Sequence, residues 1–287
     1  MAFRCGFVLL SLLLFGIAVR SCPAQTIEPA QVESSHGVDS EDFYRVYDYE
    51  TPDRGWFEPN IWTTYIPESR GDYGAFSKTW EREDLSAYTV EVEYGLTDRL
   101  SLSTYVDFIN AHGENGAPGT GMRFTQGRIE ARYRFSQPQA HFFDTAVYAE
   151  YHLPAKSYSD SQELETKLIL EKNFKSFRLD LNPALSFLTT GNGRGTAPSA
   201  NLDTGLYYKR SATLQPGLEY YSGFGALDSI APLSLQQHLL FATADLNLHR
   251  GWTLQVGVGY GLTHQSDRMT LKSILSYEFN GLGRHHR

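Results

Sequence analysis

The chain has 287 residues, a formal net charge of -8 and two cysteines, Cys5 and Cys22, both close to its N-terminus. An acidic chain without a basic cluster argues against nucleic-acid binding, and the lack of cysteine after residue 22 excludes disulfide and cysteine–metal chemistry in the remainder. The mean hydropathy of -0.36 is usual for a soluble protein. It also fits a membrane β-barrel, in which lipid-facing and lumen-facing residues alternate and keep the average low.

Residues 1–24 have the features of a secretory signal peptide. Arg4 provides the positive start, Phe7–Val19 is an apolar run, and Cys22–Ala24 supplies small residues before the predicted cleavage site. The apolar run is shorter than the roughly 20 residues that a membrane-spanning helix needs. Val19–Cys22 also resembles a lipoprotein attachment motif, but an arginine fits that motif badly, so an ordinary signal peptide and export are expected.

Residues 25–55 form a polar, acidic stretch without a clear period. Such a composition predicts a mostly disordered N-terminal arm, which would be periplasmic in an outer-membrane protein. The alternative is that its aromatic and acidic piece, Phe43–Tyr49, folds into the interior of the following domain as a small plug.

From Trp56 onward the chain consists of segments in which apolar and polar residues alternate. The clearest two are joined by the short turn Thr97–Arg99, and in the first of them Val90 and Val92 flank Glu91. A period of two gives a strand one apolar and one polar face, and a length of about 9–11 residues suits a tilted membrane strand. About twelve such segments are present, at 56–67, 87–96, 100–108, 127–135, 144–154, 163–174, 177–187, 200–210, 212–222, 236–248, 252–262 and 269–279. The first of them contains Pro59 and does not alternate cleanly.

The connections between these segments alternate between long and short. The short ones are 97–99, 136–143, 175–176, 211 and 249–251, and the long ones are 68–86, 109–126, 155–162, 188–199, 223–235 and 263–268. Outer-membrane barrels have short periplasmic turns and longer extracellular loops. Because the series begins and ends with a long connection, it predicts an even number of strands with both termini in the periplasm.

Together these patterns predict an all-β fold, a transmembrane, antiparallel, up-and-down β-barrel of about twelve strands over residues 56–279. The last segment ends in Leu275–Phe279, which resembles the C-terminal signal of outer-membrane barrels, with an aromatic residue two positions before a final Phe. Residues 280–287 then form a short C-terminal tail. The expected location is the outer membrane of a Gram-negative cell.

The polar face of the predicted barrel carries many charged residues, which indicates a wet lumen inside and lipid outside. Across the first turn, Glu93 is predicted to lie opposite Ser103. The next hairpin is predicted to pair Phe108 with Gly127, which gives these opposite pairs: Asp107 and Arg128, Tyr105 and Glu130, Ser103 and Arg132, Ser101 and Arg134.

The residues predicted to line the pore at a constriction are charged and lie on neighbouring strands: Glu91, Glu93, Asp107, Arg128, Glu130, Arg132 and Arg134. One interpretation is a cross-strand lattice of salt bridges that stiffens the barrel. The other is a charged constriction that filters solutes, as charged rings do in pores. The two interpretations are compatible.

The other charged candidates for the lumen carry both signs with an acidic excess: Glu150, His152, Glu165, Lys167, Arg178, Asp180, Asp203, Lys209, Glu219, Asp245 and Lys272. Such a lining disfavours anions and favours neutral or cationic solutes. Barrels of about 8 strands fill their interior and barrels of about 16–18 leave an aqueous channel, so twelve strands permit a narrow pore.

One alternative is a lipid-modifying hydrolase, since barrel phospholipases carry a His-x-Ser motif and His264 and Ser266 have this spacing. This motif falls in a predicted loop, and the nearest downstream amide, Asn280, lies at the opposite end of the barrel. His112 is a weaker candidate of the same kind, and His285–His286 is expected to be a basic chain end rather than a metal site. No catalytic residue, cofactor, metal ion or enzyme activity is therefore predicted.

Three pieces of the sequence, Tyr94–Leu102, Ala131–Phe135 and Glu150–Pro154, have a recurring hairpin-like character. They resemble the Gram-negative outer-membrane barrels grouped as transporters of the phenol-degradation meta-pathway type. The resemblance implies an outer-membrane location and the passage of small compounds, aromatic ones among them. It supplies no catalytic residues.

The predicted function is a narrow, passive channel or transporter for small solutes, including aromatic ones, in the outer membrane. The alternatives are a closed structural barrel without transport and, less favoured, the hydrolase. The expected partners are outer-membrane lipid and lipopolysaccharide, small-molecule solutes and the barrel assembly machinery, with no nucleic acid.

Overall fold

Twelve long antiparallel strands close into a barrel in the computed structural model of the chain, which describes residues 44–69, 72–75, 78–111, 121–135 and 137–281. The long strands are β1 (Trp56–Glu68), β4 (Leu85–Gly95), β5 (Leu100–Ala111), β6 (Gly121–Arg134), β7 (Asp144–Pro154), β8 (Glu163–Asn173), β9 (Phe177–Leu188), β10 (Ser199–Tyr208), β11 (Leu214–Ala226), β12 (Gln237–His249), β13 (Trp252–Gly261) and β14 (Met269–Tyr277). Three short strands are β2 (Asp72–Ala75), β3 (Lys78–Glu81) and β15 (Phe279–Asn280).

Several predictions fall on parts of the chain that lie outside the described residues. They are the signal peptide at 1–24, the arm before Tyr44, the candidate His112, and the end of the tail with His285–His286. Within the described ranges, no helix is long and apolar enough to cross a membrane.

Each long strand pairs with the next one along the chain, from β4 to β14, and β1 closes the barrel by pairing with both β4 and β14. The short β15 extends this closing seam along the start of β1. The prediction of an all-β, antiparallel barrel of about twelve strands is therefore confirmed. Each predicted segment overlaps one long strand, and for β7 both ends coincide with the prediction.

Two of the long connections contain structure that the sequence pattern did not predict. Between β1 and β4, the strands β2 and β3 form a separate two-stranded sheet. Between β11 and β12 lies one 3-10 turn, Leu233–Leu235. These elements have only three or four residues each, which is too short for apolar alternation to identify them.

The direction of the side chains on β4 shows which face of the barrel wall points inward. Val90 and Val92 leave 48% and 39% of their surface exposed, whereas Glu91 and Glu93 are only 3% and 6% exposed. In a water-soluble sandwich the carboxylates would be exposed and the valines buried. The apolar side chains therefore form the outer surface, and the charged side chains fill the interior, as in a membrane barrel.

Aromatic side chains form a band on the outer face near the short turns. Phe57 packs against Tyr94 and Phe279, with ring centroids 4.6 and 5.7 Å apart. Farther along the seam, Tyr277 packs against Trp252 at 4.6 Å. Such a band matches the aromatic girdle that membrane barrels place at the lipid–water interface.

The register of the first two hairpins was predicted with unequal success. Glu93 lies opposite Ser103, as predicted. In the second hairpin Gly127 pairs with Val106 rather than with Phe108, so the predicted opposite pairs are wrong by two residues: Arg128 lies opposite Tyr105, Glu130 opposite Ser103 and Arg132 opposite Ser101. The fourth predicted pair, Ser101 and Arg134, does not form, because Ser101 pairs with Arg132. The cause is that β6 begins at Gly121, well before its predicted start at 127, whereas β5 continues only to Ala111; the register shift between Asp107 and Phe108 offsets part of this difference. A shift of two residues leaves every side chain on its original face.

Glycines on the inward face leave room for large rings in the interior. A Cβ atom added at Gly259 would lie 2.3 Å from Cε1 of Phe241, which is completely buried. We therefore expect Gly259→Ala to destabilise the barrel by about 1–3 kcal/mol, the usual cost of overpacking. The measurement is the temperature at which the folded protein loses its shifted mobility in a detergent gel.

A matched control is Gly127→Ala in β6, because the nearest atom to its added Cβ, the carbonyl oxygen of Tyr105, would be at an ordinary 3.6 Å. Adding Phe241→Leu to Gly259→Ala should restore part of the lost stability. Equal unfolding temperatures for the two single variants would contradict the packing explanation.

Candidate functional site

Residues 44–54, which we call the inner segment, lie inside the barrel before β1 begins. At the short-turn end the main chain passes directly over Gly95, where an added Cβ would lie 2.1 Å from the carbonyl oxygen of Asp53. Gly55 N then donates a hydrogen bond to Gly95 O at 2.7 Å. Within the segment, Tyr44, Tyr47 and Tyr49 are 4%, 8% and 1% exposed. Their burial shows that the segment packs against the wall rather than leaving the barrel.

Hydrogen bonds tie the inner segment to opposite sides of the wall. On one side, Tyr44 Oη lies 2.6 Å from the carbonyl oxygen of Thr63 in β1 and 2.7 Å from that of Ser273 in β14. On the other side, Tyr47 N donates to Asn182 Oδ1 in β9 at 2.6 Å. Tyr49 N donates to Glu171 Oε2 in β8 at 2.9 Å, and Arg45 pairs with Asp203 in β10 at 3.1 Å. Because these anchors belong to well-separated strands, the segment crosses the lumen.

One of the predicted pore residues, Arg128 in β6, is enclosed in a three-membered ion-pair group. Its Nε lies 2.7 Å from Asp107 Oδ2, and its Nη1 lies 3.0 Å from Glu150 Oε1. The guanidinium also lies over the ring of Tyr105, 4.1 Å from its centroid. All three charged side chains are at most 1% exposed, so this part of the predicted constriction is a buried salt-bridge lattice on the inner face of the wall.

A second group surrounds Arg132, which lies four residues after Arg128 in β6 and closer to the short connections. Its Nη2 lies 3.1 Å from Glu130 Oε1 and 3.9 Å from Glu93 Oε2. Its Nη1 donates to the carbonyl oxygen of Glu50 at 3.0 Å, so this arginine joins the wall to the inner segment. Nearby, Glu91 Oε2 accepts a hydrogen bond from Asn60 Nδ2 at 2.9 Å.

A cavity of about 520 Å³, which we call the vestibule, lies in the lumen toward the short-turn end. Its charged lining residues are Asp48, Glu50, Glu58, Glu91, Glu93, Arg132, Arg178, Asp245, Lys272 and Glu278, and its aromatic ones are Tyr44, Tyr47, Trp62, Tyr207 and Tyr221. Neutral polar side chains, such as Asn60 and Gln255, complete the polar part of the wall.

The seven residues predicted for the constriction therefore separate into three locations. Glu91, Glu93 and Arg132 line the vestibule. The side chains of Asp107, Arg128 and Glu130 do not line the vestibule and are buried in ion pairs on the inner face of the wall: their exposure is 0%, 1% and 1%. Arg134 lies at the short-turn end, where it donates to the carbonyl oxygen of Asp98 and lies 5.6 Å from the ring centroid of Tyr49.

Most of the other predicted lumen residues also form ion pairs inside the barrel. Lys167 lies 2.9 Å from Glu165, Arg178 lies 3.0 Å from Asp180, Lys272 lies 2.5 Å from Glu219, and His152 lies 2.9 Å from Glu150. Asp245 is half-buried and accepts a hydrogen bond from Gln255 at 2.8 Å. Lys209 is the exception, because it follows β10 and is exposed.

A layer of aromatic side chains packs in the lumen and forms part of the lining of the vestibule, and it was not predicted from the sequence. Trp62 packs against Tyr44 and Tyr105 with ring centroids 4.9 and 5.8 Å apart. Across the lumen, Tyr221 packs against Phe241 at 5.0 Å. All five rings belong to one buried cluster. Large aromatic residues at polar-face positions of the strands were the available signal for this layer.

The His-x-Ser motif does not form a catalytic pair in this structure. Ser266 is buried, and its Oγ lies 2.8 Å from the main-chain nitrogen of His238 and 2.7 Å from Thr263 Oγ1. His264 is exposed. Within the described part of the chain, Ser266 makes no hydrogen bond to an imidazole ring, and its contacts are those of a residue that holds a loop against β12.

One titratable group of the inner segment is perturbed by its neighbours. The carboxylate of Asp48 raises the pKa of Glu50, and burial and Glu171 act in the same direction. Arg178 and Arg134 partly oppose the increase. A raised carboxyl pKa means that docking of the segment is favoured by the protonated form and weakens as the pH rises through that pKa.

No protein-family model and no curated protein sequence matches the chain. Among solved structures it is similar to an outer membrane channel from Pseudomonas putida F1, with 16% sequence identity and a TM-score of 0.58, over 81% of this chain and 98% of that one. It is also similar to the KdgM porin in complex with disordered oligogalacturonate, with 10% identity and a TM-score of 0.53, over 77% of this chain and 99% of that one. At such identities the similarity establishes a shared fold, that of outer-membrane channel barrels.

Proposed function

We propose that the protein is a narrow, passive outer-membrane channel for small solutes, aromatic compounds among them. The observation that carries the proposal is a charged interior with a vestibule of about 520 Å³ inside a barrel whose outer surface is apolar. A barrel built only for stability has no need of charged groups around a cavity, because packed apolar side chains would fill the space at lower cost. The aromatic solutes are suggested by the sequence resemblance to the meta-pathway type of transporter.

The distribution of connections supports an orientation with the short turns and the vestibule toward the periplasm. Outer-membrane barrels place short turns on the periplasmic side and long loops outside. In that orientation the apolar belt contacts lipid and the long loops contact lipopolysaccharide. Insertion of such a barrel requires the barrel assembly machinery, which is its expected partner during folding.

Within this proposal, Glu91, Glu93 and Arg132 are the residues that filter solutes, since they are the members of the charged set that line the vestibule. The inner segment acts as a plug that narrows the passage, because it crosses the lumen between β1 and β9. The buried lattice around Arg128 holds the shape of the wall against which both groups are positioned.

The test is single-channel conductance of the refolded mature chain in a planar lipid bilayer. We expect small, discrete conductance steps and, in Arg132→Ala, an ion selectivity shifted toward cations, because the substitution removes the positive charge beside Glu93 and Glu130. The matched control is Arg210→Ala, which removes the same charge from an exposed position after β10. Protein that is folded by gel mobility but gives no conductance would contradict the proposal.

A closed structural barrel is the second candidate, and one observation favours it. Tyr44, Trp62, Tyr105, Tyr221 and Phe241 pack into one buried cluster inside the lumen. If these rings do not move apart, solutes that enter the vestibule cannot pass. Removal of the inner segment distinguishes the two candidates. It would open a passage through a channel, but a closed structural barrel would stay closed.

A further inference from the structure

The vestibule offers an excess of carboxylates to whatever enters it. Its lining contains seven carboxylates and three cationic side chains. Each of the three cations has its nearest carboxylate outside the lining: Arg132 pairs with Glu130, Arg178 with Asp180, and Lys272 with Glu219. Two carboxylates of the lining lie farther from these cations, Glu93 at 3.9 Å from Arg132 and Asp48 at 3.4 Å from Arg178. The lining therefore keeps an excess of negative charge that attracts a positively charged ligand.

The same wall also presents buried polar atoms that have no hydrogen-bond partner among the described residues. They are the indole nitrogen Nε1 of Trp62, the amide oxygen Oδ1 of Asn60 and the carboxylate oxygen Oε1 of Glu93. Their side chains are 4%, 5% and 6% exposed, and all three line the vestibule. A buried donor or acceptor without a partner costs free energy, so a ligand that satisfies these atoms gains what the empty wall loses.

The three residues lie in a row along the inward faces of the neighbouring strands β1 and β4, with Asn60 between Glu93 and Trp62. Asn60 pairs directly with Glu91, and Glu93 is two residues farther along β4 on the same inward face. Trp62 is two residues beyond Asn60 on the inward face of β1, where it packs against Tyr44. The wall thus combines two acceptors, one donor and an aromatic surface within two adjacent strands.

We propose that the vestibule is a binding site for a small organic ammonium ion that also carries a hydroxyl or carbonyl oxygen. The ammonium group donates to the oxygens of Glu93 and Asn60, its charge is balanced by the acidic lining, and its oxygen accepts from the indole N–H of Trp62. The volume of about 520 Å³ lies in the range of small-molecule sites. This inference deepens the proposed function by naming a solute class, and it rests on that function only for passage through the barrel.

The experiment measures binding to the full refolded chain in detergent by titration calorimetry with three compounds of the same shape. Tyramine carries an ammonium and a phenol, 4-ethylphenol is its neutral counterpart, and 3-(4-hydroxyphenyl)propionate is the anionic one. We expect tyramine to bind at least about tenfold more tightly than either counterpart, because only its charge suits the lining. Similar affinities for the three compounds would overturn the proposal.

Variants then locate the site. Trp62→Phe keeps an aromatic ring and removes the N–H, and Glu93→Gln removes one charge, and each should weaken tyramine binding about fivefold to tenfold. The matched control is Glu83→Gln, which removes a charge from an exposed position before β4 and should leave binding unchanged. Gel mobility confirms that each variant is folded. If Glu93→Gln and Glu83→Gln bind tyramine equally well, the vestibule is not the site.

Binding and conductance are measured separately, so the two proposals can fail separately. Tyramine binding by a barrel that gives no conductance would support the site and contradict the channel. Conductance by a barrel that does not bind tyramine would support the channel and overturn the site.

Discussion

Replacing residues 44–50 with a glycine–serine sequence of equal length is expected to raise single-channel conductance several-fold. The replacement removes three buried tyrosine rings from the lumen, together with the ion pair between Arg45 and Asp203. Because the segment is anchored on both sides of the wall, it crosses the lumen, and its replacement should widen the passage. The measurement is the distribution of conductance steps in a planar bilayer for the wild type and the variant.

The control for this experiment is the same glycine–serine replacement at residues 137–143, a turn of equal length whose residues are largely exposed. That variant should conduct as the wild type does. An unchanged conductance after replacement of 44–50, in protein folded by gel mobility, would mean that the inner segment is not the barrier. The aromatic layer around Trp62 would then be the barrier, and the closed structural barrel would be favoured.

The positions of the strands and the inward face were predictable because both follow from local patterns. A period of two in segments of membrane-spanning length fixes which residues share a face, and the alternation of short and long connections fixes the ends. Even the wrong register in the second hairpin did not disturb the faces, since an offset of two residues preserves them. The unequal extension of β5 and β6 beyond their predicted ends, which caused the error, leaves no mark in the apolar pattern.

The site was less predictable, because its chemistry depends on which inward residues meet across the lumen. Alternation placed Arg128 and Arg132 on the same face and gave no means of distinguishing them. Their roles differ because Arg128 reaches Asp107 and Glu150 on the two flanking strands, whereas Arg132 reaches the main chain of Glu50. Such contacts follow from the tilt and closure of the barrel, which local sequence does not encode.

The polar wall around Trp62 was missed for a related reason. The first segment, 56–67, contains a proline and lacks clean alternation, so neither Asn60 nor Trp62 stood out as an inward residue. The docking of the inner segment is also non-local: Tyr47 and Tyr49 bond to Asn182 and Glu171, more than a hundred positions away. An irregular segment without a period carries no pattern from which such partners could be inferred.

Substitution of Arg128 by methionine is expected to destabilise the barrel by about 3–5 kcal/mol, since it leaves two carboxylates buried without their counter-charge. Asp107 and Glu150 lie 2.7 and 3.0 Å from the guanidinium and are almost fully buried. The free energy of unfolding would be measured by urea titration of the protein in detergent micelles. The control is Arg268→Met, because its pair with Glu68 is 47% and 45% exposed and should contribute only about 0.2–1 kcal/mol.

A triple variant distinguishes an unpaired charge from a general loss of packing at this position. Adding Asp107→Asn and Glu150→Gln to Arg128→Met removes the charges that the arginine neutralises, so most of the lost stability should return. If the triple variant is as unstable as Arg128→Met, the side chain acts through packing against Tyr105 rather than through its charge. If Arg128→Met costs no more than Arg268→Met, the lattice does not stabilise the wall. Since Arg128 does not line the vestibule, its removal should alter stability far more than ion selectivity, whereas Arg132→Ala should do the reverse.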